Sequence, residues 1–313
     1  MQNKNKIRVA AVVGPTASGK TALGVEIAKA FGGEVISADS MQIYKGMDIA
    51  TAKPTVEEMQ GVPHHLMDFL DRGISFSVAD YVDLAGKAIA DVSGRGRLPV
   101  IVGGTGLYIS SLLENVKFAD IECDPKLREA LEMEAAEKGN EVLFERLKGY
   151  DPETAAELHP NNLVRVIRAI EVFELTGKKL SEYKAESKLE ETPYDSVIIG
   201  LTYSDRQKLY DRINLRVDIM VQNGLVEEAR AVFESGNMKT AGNAIGYKEL
   251  IPYFENKLSL DECIEKIKME TRRYAKRQLT WFRKNAEIQW IMLDEFDDKD
   301  KILDFCKKLI AKS

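Results

Sequence analysis

A strand–loop–helix passage near the amino end constrains this chain more than any other feature. Gly14-Pro15-Thr16-Ala17-Ser18-Gly19-Lys20-Thr21 satisfies every fixed position of the pattern G-x-x-x-x-G-K-[ST]. Ahead of it, Ile7–Val13 (IRVAAVV) is apolar and β-branched, which predicts a parallel strand buried on both faces. Behind it, Thr21 to Phe31 places Leu23, Ile27 and Phe31 on one helical face, and Gly32-Gly33 ends the helix. Gly14 and Gly19 let the loop curl so that backbone N–H groups point inward, and the helix adds its positive end. Lys20 supplies a mobile charge to phosphate oxygens, and Thr21 offers a hydroxyl to a phosphate-bridging Mg²⁺. All eight loop residues, Gly14, Pro15, Thr16, Ala17, Ser18, Gly19, Lys20 and Thr21, are thus expected to hold phosphate groups.

The same rhythm continues. Glu34–Ser37 reads as a second strand, Tyr81–Val92 as an amphipathic helix with Val82, Ala85, Ile89 and Val92 inward, and Pro99–Val102 as a third strand closed by Gly103-Gly104-Thr105-Gly106. Strand and helix in alternation predict an α/β fold, a P-loop NTPase-like core whose parallel sheet is flanked by helices. From Asp124 to Tyr183 no strand pattern appears. Helices are expected at Pro125–Lys138, Glu141–Lys148, Pro152–Leu158 and Asn162–Leu175, and a polar hinge or loop at Glu182–Pro193. The strand pattern returns at Ser196–Leu201 and again at Glu287–Leu293, with helices at Asp205–Asn223, Val226–Ser235 and Leu260–Lys284 between them. The expected organisation is a core of residues 1–118 and 194–313 interrupted by an all-helical insertion, 119–193.

Composition excludes several classes. A hydrophobic content of 44% supports a packed core, and the longest apolar runs fall far short of a membrane span. The first residues lack the features of a signal peptide, so a cytoplasmic location is the expectation. Cys123, Cys263 and Cys306 lie far apart and offer no CxxC pair and no disulfide framework, and no Cys/His set has zinc-ligand spacing.

Asp39 follows the second strand at the carboxyl edge of the sheet, beside the loop that follows the first. A carboxylate there can take a proton from an incoming nucleophile; as alternatives it caps a helix or sits behind a Mg²⁺. Thr105, at the end of the third strand, reaches the same edge, to bond an acceptor, orient Asp39 or simply close the turn. Guanine-reading and acidic Walker B features are absent. The formal net charge of −6 argues against a nucleic-acid partner, but the charge is unevenly spread. Lys268 to Lys284 carries seven basic side chains (Lys268, Arg272, Arg273, Lys276, Arg277, Arg283, Lys284) against Glu270, all within one half of a helical wheel. Such a face suits an RNA backbone, or it is a solvated face balanced by the acidic run Asp294–Asp300.

Taken together, the loop Gly14–Thr21, Asp39–Pro54 (DSMQIYKGMDIATAKP), Pro63-His64-His65-Leu66, Gly103–Tyr108 (GGTGLY), Ala244–Glu249 (AIGYKE) and Thr271–Arg283 (TRRYAKRQLTWFR) resemble the tRNA dimethylallyltransferase family, in order and over nearly the whole chain. The resemblance implies transfer of a dimethylallyl group from dimethylallyl diphosphate to N6 of adenine 37 in the anticodon stem-loop of tRNAs reading codons that begin with U, with Mg²⁺ as cofactor. It implies that the loop holds the prenyl diphosphate rather than ATP. Catalytic roles would fall to Asp39, Thr16, Lys20 and Thr105. The tRNA would be met by Asp39, Ser40, Met41, Gln42, Thr105, Arg128, Arg165, Arg168, Tyr247, Lys248, Arg273 and Arg277. Asn243 departs from the family pattern, where a longer Gln or Arg is usual. The competing reading is a P-loop small-molecule kinase using ATP; a nucleotide-switched RNA-binding module would need base-reading residues that are missing. A monomer is the expected state.

Overall fold

The computed structural model describes residues 6–116, 124–187, 191–236, 242 and 244–312. Cys123, Asn243 and the boundary expected at residue 119 lie outside the described residues. Two compact units emerge, one of Met1–Leu113 with Pro193–Ser313 and one of Glu114–Thr192.

The first unit is built on a six-stranded, all-parallel sheet: β1 (Ile7–Val13), β2 (Glu34–Ser37), β3 (His64–His65), β4 (Pro99–Gly103), β5 (Tyr194–Thr202) and β6 (Gln289–Met292), in the order β3-β2-β4-β1-β5-β6. Its helices are α1 (Lys20–Phe31), α2 (Val56–Met59), α3 (Val78–Gly94) and α4 (Gly106–Leu113), followed, after the other unit's five helices, by α10 (Arg206–Gln222), α11 (Leu225–Glu234), α12 (Ile251–Phe254), α13 (Leu260–Phe282) and α14 (Lys299–Lys312). Alternation along β1 feeds two cores. Ala10 and Val12 join Val25, Ile27, Val35 and Val100 on one face, while Val9, Ala11 and Val13 join Ile36, Ile89, Ile101 and Ile109 on the other. The β2–β4 and β1–β4 registers pair Ser37 with Val102 and Val13 with Gly103. Three adjacent strands therefore end at one edge, and the loops that leave them are neighbours.

Sequence periodicity cannot detect β3, which is two residues long. It docks on β2 through the Val35–His64 and Ile36–His65 pairing, and a buried carboxylate braces it: His65 Nε2 lies 2.7 Å from Glu34, which also pairs with Arg95 and Arg97. Hydrogen bonds from Arg95, resisted by burial and aided by His65, hold the Glu34 carboxyl down at about 2. The helix α13 starts from a capping box made by Ser259 and Glu262, which satisfies two backbone donors at its first turn, and it runs for 23 residues.

The second unit contains α5 (Pro125–Lys138), α6 (Asn140–Tyr150), α7 (Pro152–Ala156), α8 (Leu163–Thr176) and α9 (Leu180–Ser187), packed around Leu131, Leu143, Leu147, Val166 and Ile170. The expected loop from Glu182 onward is corrected here: α9 continues through Ser187. Its weak apolar pattern gave no local signal. Bonds to other helices hold it, with Ser181 N donating to Asp151 over 2.9 Å and Lys184 pairing with Glu157 at 2.7 Å.

Candidate active site

The loop between β1 and α1 has the strained backbone its sequence demands. Gly14 and Gly19 have φ of 147° and 83°, and Ala17 is also left-handed at 63°. A side chain on Gly14 would collide with the carbonyl of Leu201 on β5. Ser18 is 1% exposed, and its Oγ has no hydrogen-bond partner. Lys20 Nζ lies 3.2 Å from the Pro15 carbonyl. Burial, and then the nearby Arg216 guanidinium, lower its pKa to about 8, against the opposing pull of Asp39. Arg216, on α10, is itself pushed below its ordinary value by burial, with Asp39 opposing. Two cations held together with little water around them make a site whose electrostatics favour a bound anion.

Asp39 follows β2 by two residues. Its Oδ1 accepts from Met41 N (2.9 Å) and Gln42 N (3.4 Å), and among the described residues no donor reaches Oδ2. Thr105, after β4, accepts from Ser40 N at 3.0 Å and donates to Ser40 Oγ at 3.3 Å, while its own N–H reaches the Ala38 carbonyl at 3.1 Å. Thr105 thereby fastens the segment that carries Asp39. Gln42 Nε2 donates to the carbonyls of Thr51 and Ala52, each at 3.1 Å, so that amide shapes the Asp39–Pro54 loop.

These residues surround a cavity of about 310 Å³. Thr16, Lys20, Thr21, Asp39, Ser40, Gln42 and Arg216 form its polar side, and Met220, Leu225, Ala244, Ile245 and Ile267 form an apolar side. Tyr274, Arg277 and Gln278 of α13 complete the wall. A second cavity of about 600 Å³, lined by Lys53, Arg212, Leu215 and Ile219 among others, shares Lys20, Thr21, Arg216 and Met220 with the first. Among the described residues there is no group of three or more His, Cys, Asp and Glu side chains able to hold a metal. No described helix is long and apolar enough to cross a membrane.

The sequence missed Arg216, Arg212 and Gln278. The faint signal for the first two was their spacing of four on one helix, which puts both on one face of α10. Several expected contacts are placed differently. Tyr247 is 1% exposed, packed against Ile43, Tyr44 and Met47, and its hydroxyl donates to Glu228 at 2.8 Å. Glu228 in turn accepts from the backbone of Asp48, Ile49 and Ala50. Tyr247 is therefore a core brace, buried where the sequence alone suggested a contact for tRNA. Lys248 beside it is exposed and lines the cavity. On α13 the expectation of seven outward basic groups is also corrected. Lys268 pairs with Asp218 at 2.8 Å and Arg272 bonds Asn214, both on α10, whereas Arg273, Lys276, Arg277, Arg283 and Lys284 remain exposed. In the second unit, Arg128 makes a two-pronged pair with the buried Glu171 at 2.8 and 2.7 Å, Arg168 lies 3.6 Å from the same carboxylate, and Arg165 is exposed.

Comparison with known proteins agrees with this geometry. The family model described as IPP transferase matches residues 42–285. The tRNA dimethylallyltransferase of Acetivibrio thermocellus is 51% identical over 305 residues, covering 97% of each chain, and that of Geobacillus thermodenitrificans is 52% identical over 90% of each. The full-length tRNA isopentenylpyrophosphate transferase of Bacillus halodurans superposes with a TM-score of 0.73 at 47% identity, covering 98% of each chain. A eukaryotic dimethylallyltransferase captured acting on tRNA gives a TM-score of 0.83 at 30% identity, over 97% of this chain and 80% of that one. The chain belongs to the tRNA dimethylallyltransferase (IPP transferase) family.

Proposed function

We propose that this enzyme transfers the dimethylallyl group of dimethylallyl diphosphate to N6 of adenine 37, beside the anticodon of tRNAs that read codons beginning with U, and releases diphosphate. One observation carries the reading: Lys20 and Arg216 line the same cavity as Asp39, and one side of that cavity is apolar. The diphosphate sits in the loop, and the five-carbon tail lies against Met220, Leu225, Ile245 and Ile267. The adenine leaves its stack to enter past Ser40, Met41 and Gln42.

In the transfer, the N6 lone pair forms a bond to C1 as the C1–O bond to diphosphate breaks. The exocyclic amine is a weak nucleophile because its lone pair is delocalised into the ring, so it must lose a proton as the bond forms. Asp39 takes that proton on Oδ2, with Oδ1 already held by the Met41 and Gln42 amides. Lys20, Arg216 and the loop amides stabilise the charge that develops on the leaving diphosphate. Thr21, which lines the cavity beside Lys20, would hold a Mg²⁺, and such an ion would neutralise phosphate charge. Basic groups exposed on α13, together with Arg165 and Lys248, engage the RNA backbone. On this reading the enzyme works as a monomer in the cytoplasm, a location that suits a tRNA substrate.

The test is to incubate the protein with unmodified tRNA, Mg²⁺ and either dimethylallyl diphosphate or ATP, and to identify the nucleosides by mass. Prenylated adenosine at position 37, formed only with the prenyl donor, is the expected result. ATP cleavage with no nucleoside change would sink the assignment in favour of a kinase.

A further inference from the structure

Thr16, at the crest of the phosphate loop, is held from outside the loop. Its backbone N–H donates to Gln278 Oε1 over 2.9 Å, and Gln278 Nε2 donates to the Gly104 carbonyl over 2.9 Å. Gln278 is 5% exposed, and one donor and one acceptor fix the orientation of its amide. The fit is close: a Cβ built on Gly104 would collide with Gln278 Nε2. One turn earlier on α13, Tyr274 lines the same cavity, and Thr105 secures Ser40 next to Asp39. On the other side of the crest, Arg212 Nε donates to the Ala17 carbonyl over 3.1 Å. The crest is thus gripped between α10 and α13.

The reaction centre draws on loops that leave three different strands. Thr16 and Lys20 follow β1, Gly104 and Thr105 follow β4, and Asp39 follows β2. Gln278 bonds the first two of these loops at once. It does so from a stretch of α13 whose other inward residues, Ile267, Ala275 and Phe282, are apolar, where a methionine would fill the space without two backbone bonds to satisfy.

We propose that Gln278 is a positioning residue of the transfer reaction, fixing the Thr16 crest against the Gly104–Thr105 turn so that C1 of the donor faces the proton acceptor. The proposal rests on the loop being the diphosphate site, and pyrophosphate binding by the unaltered protein tests that separately. Misalignment of reacting groups by even an ångström is felt in the rate rather than in the grip.

The experiment compares Gln278→Met, Gly104→Ala and the double variant with the unaltered protein. Single-turnover transfer to tRNA, KM for both substrates, inorganic pyrophosphate affinity by calorimetry and thermal midpoint are measured on each. Gln278→Met is expected to lower the transfer rate on the order of 10²-fold, while pyrophosphate affinity and KM for tRNA move by less than about threefold. Gly104→Ala, which drives the amide out of place, is expected to cause a loss of similar size, and the double variant to lose little more. A folded Gln278→Met with a near-normal rate overturns the proposal. So does a rate loss matched by an equal loss of pyrophosphate affinity, or single losses that multiply in the double variant. Failure of the unaltered protein to bind pyrophosphate overturns the site assignment and the proposal with it.

Discussion

Replacing Asp39 by asparagine separates the two things this side chain does. Oδ1 closes a turn by accepting from Met41 N and Gln42 N, while Oδ2 is the oxygen left for a substrate proton. Asparagine keeps a carbonyl oxygen for the turn but carries an amide where the base was, and it cannot accept a proton at neutral pH. The turn should survive, with stability changed by less than about 0.5 kcal/mol, the usual range for a substitution that preserves its bonds. Chemistry should not survive. Loss of a positioned general base costs about 10²–10⁴ in rate, or roughly 3–5.5 kcal/mol of barrier. Alanine removes both functions, so Asp39→Ala should show the same rate loss plus about 0.5–2 kcal/mol of destabilisation, as for a lost capping side chain. The assay is single-turnover transfer with enzyme in excess over labelled tRNA, which isolates the chemical step, alongside filter binding of the tRNA. Affinity for tRNA should be retained in both variants. An asparagine variant turning over within about fivefold of the unaltered enzyme would refute the assignment of Asp39 as the base, since that is less than the smallest effect expected of such a group.

Other consequences are open to test. With the Lys20 pKa at about 8, raising pH above that value discharges the free loop, so kcat/KM for the donor should fall there; pyrophosphate, which favours the charged lysine, should draw a proton from buffer on binding at about pH 8.5 to 9, seen as a buffer-dependent heat in calorimetry. Lys20→Met should weaken pyrophosphate binding by about 1.5–3 kcal/mol, the loss of a charge-assisted bond, with tRNA binding unaffected. Reversing Arg273 and Lys276 to glutamate should weaken tRNA binding, and the plot of log affinity against log salt should flatten by about one unit per lost phosphate contact, with pyrophosphate affinity unchanged. Tyr247→Phe should lower stability by about 1–3 kcal/mol through the orphaned Glu228 bond and leave tRNA affinity alone; a selective loss of tRNA binding would restore Tyr247 as a direct contact.

What the sequence could reveal depended on how local the cause was. The strand before the loop, the loop itself and the helix after it are each encoded within a few residues, and the rule that α/β sites gather at the carboxyl edge brought Asp39 and Thr105 to the same place. Arg216 and Gln278 gave no comparable signal, because their roles arise from where α10 and α13 come to rest against the loop. The burial of Tyr247 was hidden for the same reason: the family segment that carries it says nothing of how Ile43 and Met47 pack around it. On α13 the helical wheel sorted apolar from basic positions, yet it could not foresee that α10 would claim Lys268 and Arg272 with Asp218 and Asn214. The strand at His64–His65 and the helix through Ser187 owe their existence to partners distant in the chain.

The grip of α10 and α13 on the loop crest also bears on when the enzyme becomes active during its own synthesis. The phosphate motif leaves the ribosome early, but Arg212 follows Ala17 by 195 residues and Gln278 follows Thr16 by 262. Strand β1 likewise waits for β5 before its second edge is paired. A nascent or truncated chain ending before α13 would display the full motif with its crest unsupported on the Gln278 side, and the whole chain would be expected to fold slowly because these contacts are so far apart in sequence. The support of the loop crest is therefore complete only once α10 and α13 have both been made and have packed against it.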